Sequence, residues 1–136
     1  MAGLEKVTGD IERMYAQFKI GPIDEIKDRL PWNHQLEMNI LIAHRDLDKI
    51  LGEKKWAIVS GRGPSGPLHL GHLLVFKLVS WFQKVFNVPA FIPLSDDEKL
   101  VFNKIQSLED AENWALDNAR WIAALGFDHK KTRIYI

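Results

Sequence analysis

The chain has 136 residues, enough for one domain with its own core, and its 18 basic side chains balance 18 acidic ones. That balance excludes a bulk field drawing it to nucleic acid or anionic lipid, so any RNA contact has to come from a local patch. With no cysteine, disulfides and thiolate zinc sites are excluded. The first residues, "MAGLEKVTGDIERMYAQF", place acids early and offer no apolar stretch for a signal peptide, so the expected location is the cytoplasm.

Leu4, Val7, Ile11, Met14, Tyr15 and Phe18 recur at helical spacing and predict a helix over residues 4–19, broken by Gly21 and Pro22. "PIDEIKDRL" (22–30) predicts a short second helix ended by Pro31. "HRDLDKILGEKK" (44–55) predicts another, with Gly52 placed to cap its C-terminus. Residues 1–52 thus read as an N-terminal helical segment, and the pattern then changes. "WAIVS" (56–60) is a short apolar strand, followed by a glycine loop and a nearly buried helix over residues 70–86. On that helix Lys77, Ser80, Lys84 and Asn87, with Gln83 beside them, form the stripe expected to touch water. The stretch is too short and too charged to span a lipid bilayer. "VPAFIPL" (88–94) is a second apolar strand. "SLEDAENWALDNARWIAALG" (107–126) opens with a Ser-x-x-Asp cap and carries Leu108, Ala111, Trp114, Ala115, Ala119, Ile122 and Leu125 on one face. "TRIYI" (132–136) is a third strand. Residues 53–136 therefore read as an α/β unit, β-α-β-α-β, half of a Rossmann-like parallel sheet with the first strand at its edge.

The loop "GRGPSGPLHLGHLL" (61–74) holds two motifs. Gly61, Gly63 and Gly66 have the G-x-G-x-x-G spacing of a dinucleotide loop, with the required strand before and helix after. Against that reading, Pro64 and Pro67 keep a helix from starting between the glycines. The acid expected about twenty residues on is also missing, since Asp96 and Asp97 lie farther along. A metal at His69 and His72 lacks a third ligand nearby, so no metal site is expected. A tight turn with two incidental histidines stays open on the loop alone. The remaining reading is a phosphate site. Loop and helix-terminal N–H groups point outward, Arg62 adds a fixed charge, and two imidazoles one turn apart add donors that follow developing charge.

A strand, then [ST]-G-R-G-P-S, then H-x-G-H opening a helix resembles the nucleotide-binding signature of the class I aminoacyl-tRNA synthetases. "AHRDLDKIL" (43–51), "VFNVPAFIPLSDDEK" (85–99) and "GFDHKKTRIYI" (126–136) are similar to successive blocks of its tryptophanyl branch, of archaeal and eukaryotic type. The resemblance runs from about Ile40 to the last residue, and the tyrosyl branch is its nearest rival. It implies activation of tryptophan by ATP with Mg²⁺, then transfer to tRNA(Trp). It implies His69 and His72 as the catalytic contacts to phosphate, and Gly61, Arg62, Gly63, Pro64, Ser65, His69, Gly71 and His72 as the ATP site. Gly71 would leave room for adenine and ribose. Val59, Pro93 and Glu98 would line the amino-acid pocket. Where the eukaryotic-type enzymes hold the indole with a tyrosine and a glutamine, this chain has Val59 and Pro93. The family also continues through a second half carrying a Lys-Met-Ser-Lys-Ser loop and then an anticodon-binding domain. The chain thus reads as the N-terminal part of a catalytic domain, with a complementary half or a second copy as expected partner and no membrane. The alternatives are a synthetase-derived ATP-binding or interaction module without full aminoacylation, and a tyrosyl-like specificity.

Overall fold

The computed structural model describes residues 2–95 and 107–136, with side chains from residue 10 onward. The side chains of Leu4 and Val7, and the acids Asp96, Asp97 and Glu98 entirely, fall outside what is described. The chain divides into two compact units, residues 1–54 and 55–136.

In the first unit α1 (Ala2–Phe18) forms as its periodicity predicts, with Ile11, Met14 and Tyr15 half-buried and Phe18 exposed. Lys19, in the left-handed region at φ 52°, follows the helix ahead of Gly21. Gly21 and Pro22 then form β1 (Gly21–Pro22), which pairs antiparallel with β2 (Ala43–His44). The helix expected over 22–30 is instead two 3-10 turns, Ile23–Glu25 and Lys27–Arg29. Eight residues between two prolines are too few for a self-supporting helix, and the turns still bury Ile23, Ile26 and Leu30. A short helix that the sequence did not announce, α2 (His34–Glu37), is capped by Asn33, whose side chain accepts from the Gln35 N–H at 2.7 Å. The helix expected over 44–55 shrinks to α3 (Leu47–Ile50), because His44 is committed to β2 and Asp46 turns left-handed at φ 56°. Gly52 is not a left-handed cap. Among the described residues only Gly126 is a glycine with positive φ.

The second unit follows the expected order. β3 (Ile58–Val59), α4 (Leu70–Phe86), β4 (Ala90–Pro93), α5 (Leu108–Ala123) and β5 (Thr132–Tyr135) give a parallel sheet with spatial order β3-β4-β5. Ile58 stands beside Ala90, and Ala90 beside Thr132. Because strand side chains alternate, Ala90, Ile92 and Leu94 share one face and are buried against Phe76 of α4 and Ala115 and Ile122 of α5. Ala111 and Ala115 are wholly buried, and their small side chains let α5 approach the sheet. The opposite face turns Val59, Phe91 and Tyr135 outward, with Val59 69% exposed. Ser107 caps α5 as expected, its hydroxyl accepting from the Asp110 N–H at 3.1 Å.

Two helix faces differ from their predicted patterns. On α5, Leu108 and Trp114 are exposed and Asn118 is buried in the stripe. On α4, Lys77 and Lys84 do reach water, but Ser80 and Gln83 are buried, while Leu70, Leu73 and Val75 are exposed. The reason is the segment leading into β5. Ser80 Oγ donates to Gly126 O at 3.2 Å. Gln83 Nε2 donates to Thr132 Oγ1 at 2.7 Å, and its Oε1 accepts from the Asp128 N–H at 2.9 Å. The polar stripe is a seam that fixes this loop. Among the described residues no helix is long and apolar enough to cross a membrane.

Replacing Gln83 by Leu strands the Asp128 N–H and removes the donor to Thr132 Oγ1, which keeps its own bond to Asp128 O, and is expected to cost about 1–3 kcal/mol. Lys77→Leu, on an exposed position of the same helix, should stay within about 0.5 kcal/mol. Urea unfolding of the two variants checks the difference, and equal costs would refute the seam.

Candidate functional site

The loop after β3 crosses the carboxyl end of β4, where ligands of open α/β sheets bind. Its path is fixed by a continued ladder. Arg62 N–H donates to Pro93 O at 3.0 Å, Ser95 N–H donates to Arg62 O at 3.1 Å, and Arg62 bridges Leu94 in parallel. A Cβ at Gly61 would lie 2.6 Å from Pro93 O and 2.8 Å from Pro93 Cγ, so this crossing requires glycine. Pro64 is fully buried beneath the loop and anchors it.

The ladder delivers the Arg62 guanidinium to the start of α4. Its Nη1 lies 2.8 Å from His72 Nδ1, and its Nη2 donates to Gly66 O at 3.3 Å and to Pro67 O at 3.4 Å. The His69 N–H also donates to His72 Nδ1, at 3.3 Å. A guanidinium has no acceptor, so Nδ1 must be the acceptor and the His72 proton sits on Nε2. Burial holds His72 below its ordinary 6.5, and neighbouring Arg62 and His69 push the same way. Burial also lowers Arg62 from its usual range. The two imidazoles pack against each other with ring centres 3.7 Å apart and planes tilted by 36°.

Gly61, Arg62, Gly63, Ser65, Gly66, His69 and His72 line one open cleft of about 560 Å³. A Cβ at Gly66 would meet nothing within 4 Å, so the bare backbone leaves that part of the cleft clear. Over Gly71 a Cβ would stand 3.2 Å from His69 Cε1, so the bare glycine makes room for the His69 ring. Pro64 and Gly71 support the cleft without lining it. Val59 and Pro93 do not line it either. Val59 is on the outward face of the sheet edge, and Pro93 packs against Gly61. Glu98 lies outside the described residues. Among those residues no three His, Asp or Glu side chains gather as a metal site.

One contributor escaped sequence reasoning. Asn118 of α5 donates from Nδ2 to Gly66 O at 3.0 Å, joining the loop to a helix 52 residues away. Its signal was an amide in register with Ala111, Ala115 and Ile122 on an otherwise apolar stripe.

A family model described as tRNA synthetases class I (W and Y) matches residues 51–136. The chain belongs to this family. A tryptophan–tRNA ligase of Thermococcus kodakarensis is 35% identical over 137 residues, covering 93% of this chain and 36% of that protein. The cytoplasmic tryptophan–tRNA ligase of Schizosaccharomyces pombe is 40% identical, covering 93% and 35%. Among solved structures, the tryptophanyl-tRNA synthetase of Giardia lamblia superposes with a TM-score of 0.85 at 32% identity, over 96% of this chain and 35% of that one. That of Encephalitozoon cuniculi, bound to tryptophan, gives 0.83 at 32% identity, over 92% and 40%. The chain thus spans a little over a third of the length of these ligases, and its α/β unit has their Rossmann-like fold.

The His72 environment predicts a pH effect with a definite sign. The folded state disfavours the protonated ring, so the unfolded chain takes up this proton first as pH falls below 6.5. Stability from this group is complete above that pH and declines below it, until the folded ring also titrates. Urea midpoints between about pH 7.5 and 5.5 should fall more steeply for the native chain than for His72→Gln. Parallel curves would refute the assignment.

Proposed function

We propose that this chain is the nucleotide-loop part of a tryptophan–tRNA ligase, which activates tryptophan with ATP and transfers it to tRNA(Trp) in the cytoplasm. The observation that carries the reading is the cleft in which Arg62 holds His72 as an Nε2–H donor beside the N-terminus of α4. The names and the extent of the relatives support the same conclusion. Residues 53–136 are the first half of the nucleotide-binding domain, and residues 1–52 are an N-terminal segment preceding it.

In this reading the loop N–H groups, Arg62, Ser65 and the first turn of α4 hold the phosphates of ATP. Such a reaction needs positioning and charge stabilisation more than covalent participation by the protein. As the tryptophan carboxylate attacks the α-phosphate, negative charge grows on the departing pyrophosphate. His72 meets it with the Nε2 proton, and His69 flanks it from the cap position. Mg²⁺ would supply charge neutralisation on the ATP phosphates alongside Arg62. Val59, Pro93 and Glu98 are assigned to the amino-acid side. Val59 and Pro93 present no side-chain hydrogen bond, so their contribution to selection is shape, worth about 1–3 kcal/mol between similar side chains. That same lack of polar readout is the observation favouring the second reading, an ATP-binding or interaction module derived from a synthetase.

Calorimetry with Mg·ATP tests the site. His69→Ala combined with His72→Ala should weaken ATP binding at least about tenfold, the loss of roughly one charge-assisted hydrogen bond. Equal affinity in the double variant would remove the phosphate role, and tight NADH binding by the native chain would restore the dinucleotide reading.

The expected partner is a complementary half or a second copy, seated on β3. The N–H groups of Ile58, Ser60 and Arg62 bond to β4, so those of Val59 and Gly61 face the open edge. An unpaired edge beside exposed Val59, Phe91 and Tyr135 invites association. Light scattering on this chain should show self-association that Val59→Lys suppresses. A stable monomer at high concentration, with the Val59 amide protected from exchange, would overturn it.

A further inference from the structure

Asn118 is 0% exposed, yet its stripe on α5 is otherwise built for packing by Ala111, Ala115 and Ile122. An amide is a poor packing residue there, because its Oδ1 is buried with no partner among the described residues. Both Nδ2 protons, however, are used. One goes to Trp114 O on its own helix at 2.7 Å, the other to Gly66 O in the loop at 3.0 Å. The Gly66 carbonyl also accepts from Arg62 Nη2 at 3.3 Å, and Arg62 Nη1 lies 2.8 Å from His72 Nδ1. One carbonyl therefore joins a buried helix to the guanidinium and, through it, to the imidazole.

We propose that Asn118 is a positioning residue for the phosphate site, clamping the Gly66 carbonyl so that Arg62 keeps its fork on His72 and His72 keeps its proton on Nε2. The inference rests on the reading of the loop as a phosphate site. Gly66 has no side chain to pack, and the space around its α-carbon is open, so its peptide is held by what its carbonyl accepts. Of the two donors, Arg62 is partly exposed, where water competes for a hydrogen bond, whereas Asn118 is shielded. When the shielded bond is lost the carbonyl swings, the planar fork follows it, and Nη1 leaves Nδ1. The charged or titratable groups facing His72 are then His69 and a displaced Arg62, and either ring nitrogen of His72 can carry the proton.

The test is Asn118→Leu, which keeps the branch at Cγ and removes both donors. The His72 ring is followed by ¹⁵N resonance in the ligand-free chain, and Mg·ATP affinity by calorimetry. Ile122→Val, on the same stripe, is the packing control. In Asn118→Leu the His72 titration should move up toward the ordinary imidazole range, an Nδ1–H population should appear, and ATP affinity should fall about tenfold. Ile122→Val should lower the urea midpoint and change neither reading. If Asn118→Leu behaves like Ile122→Val, with the His72 titration and ATP affinity unmoved, the positioning role is overturned. Should the leucine variant not fold, Asn118→Ser, too short to reach Gly66, carries the same two readouts with the same expected results. Absence of ATP binding in the native chain would overturn the phosphate reading instead, and the His72 titration would still decide whether Asn118 sets the imidazole.

Discussion

A guanidinium cannot give up its proton in a folded protein, and in this structure that single property decides what His72 is. Arg62 Nη1 meets His72 Nδ1 at 2.8 Å, so Nδ1 accepts and the proton of the neutral ring sits on Nε2, while burial and the adjacent cation disfavour a second proton. None of this would hold if Arg62 were free to rotate. Its main chain is fixed because β3 keeps pairing with β4 beyond its regular end, through the Arg62 N–H to Pro93 O and the bridge to Leu94, and its fork is held by Nη2 donating to Gly66 O and Pro67 O. That pairing in turn needs Gly61, since any side chain there would collide with Pro93. A short apolar strand, one glycine and one arginine thus set the protonation state of a histidine ten residues later.

A neutral histidine held next to a fixed cation is poised for an anion. Arg62 attracts the charge, and the burial that depresses His72 also strengthens any hydrogen bond its Nε2 makes. A neutral His72 beside Arg62 avoids the repulsion that two adjacent cations would feel.

The second unit was legible in the sequence because its elements bury themselves by period. Phe76 on α4, Ala115 and Ile122 on α5, and Ala90 and Ile92 on β4 are where the helical and alternating patterns put them. The first unit was less legible for a physical reason. Its sheet is two residues against two, Gly21–Pro22 on Ala43–His44, too short for any alternation, and its turns were mistaken for a helix because Ile23, Ile26 and Leu30 satisfy both spacings. Polar residues in buried seams were read as wet. Ser80 and Gln83 bond to the segment entering β5, which depends on a contact 45 or more residues away that no local pattern announces. Geometry separates the expected site residues into those that line the cleft, such as Arg62 and His72, and those that do not, such as Pro64 and Gly71, a division no spacing in the sequence carries.

The strand that carries the loop is also the least enclosed element of the sheet. β3 has one paired side and an outward face ending in Val59, 69% exposed, while β4 is paired on both sides. Parallel sheets are stable when both faces are covered and their edges are managed. The phosphate loop is thus anchored on one flank to the best-buried strand, through Pro93 and Leu94, and continuous on the other with the edge strand. Covering the free edge would restrict exchange between paired and frayed states of β3, and so hold Arg62 on His72 for a larger fraction of the time. An occupant of the β3 edge and a ligand of the Arg62 loop would therefore meet on one short strand, with Arg62 as the residue that belongs to both.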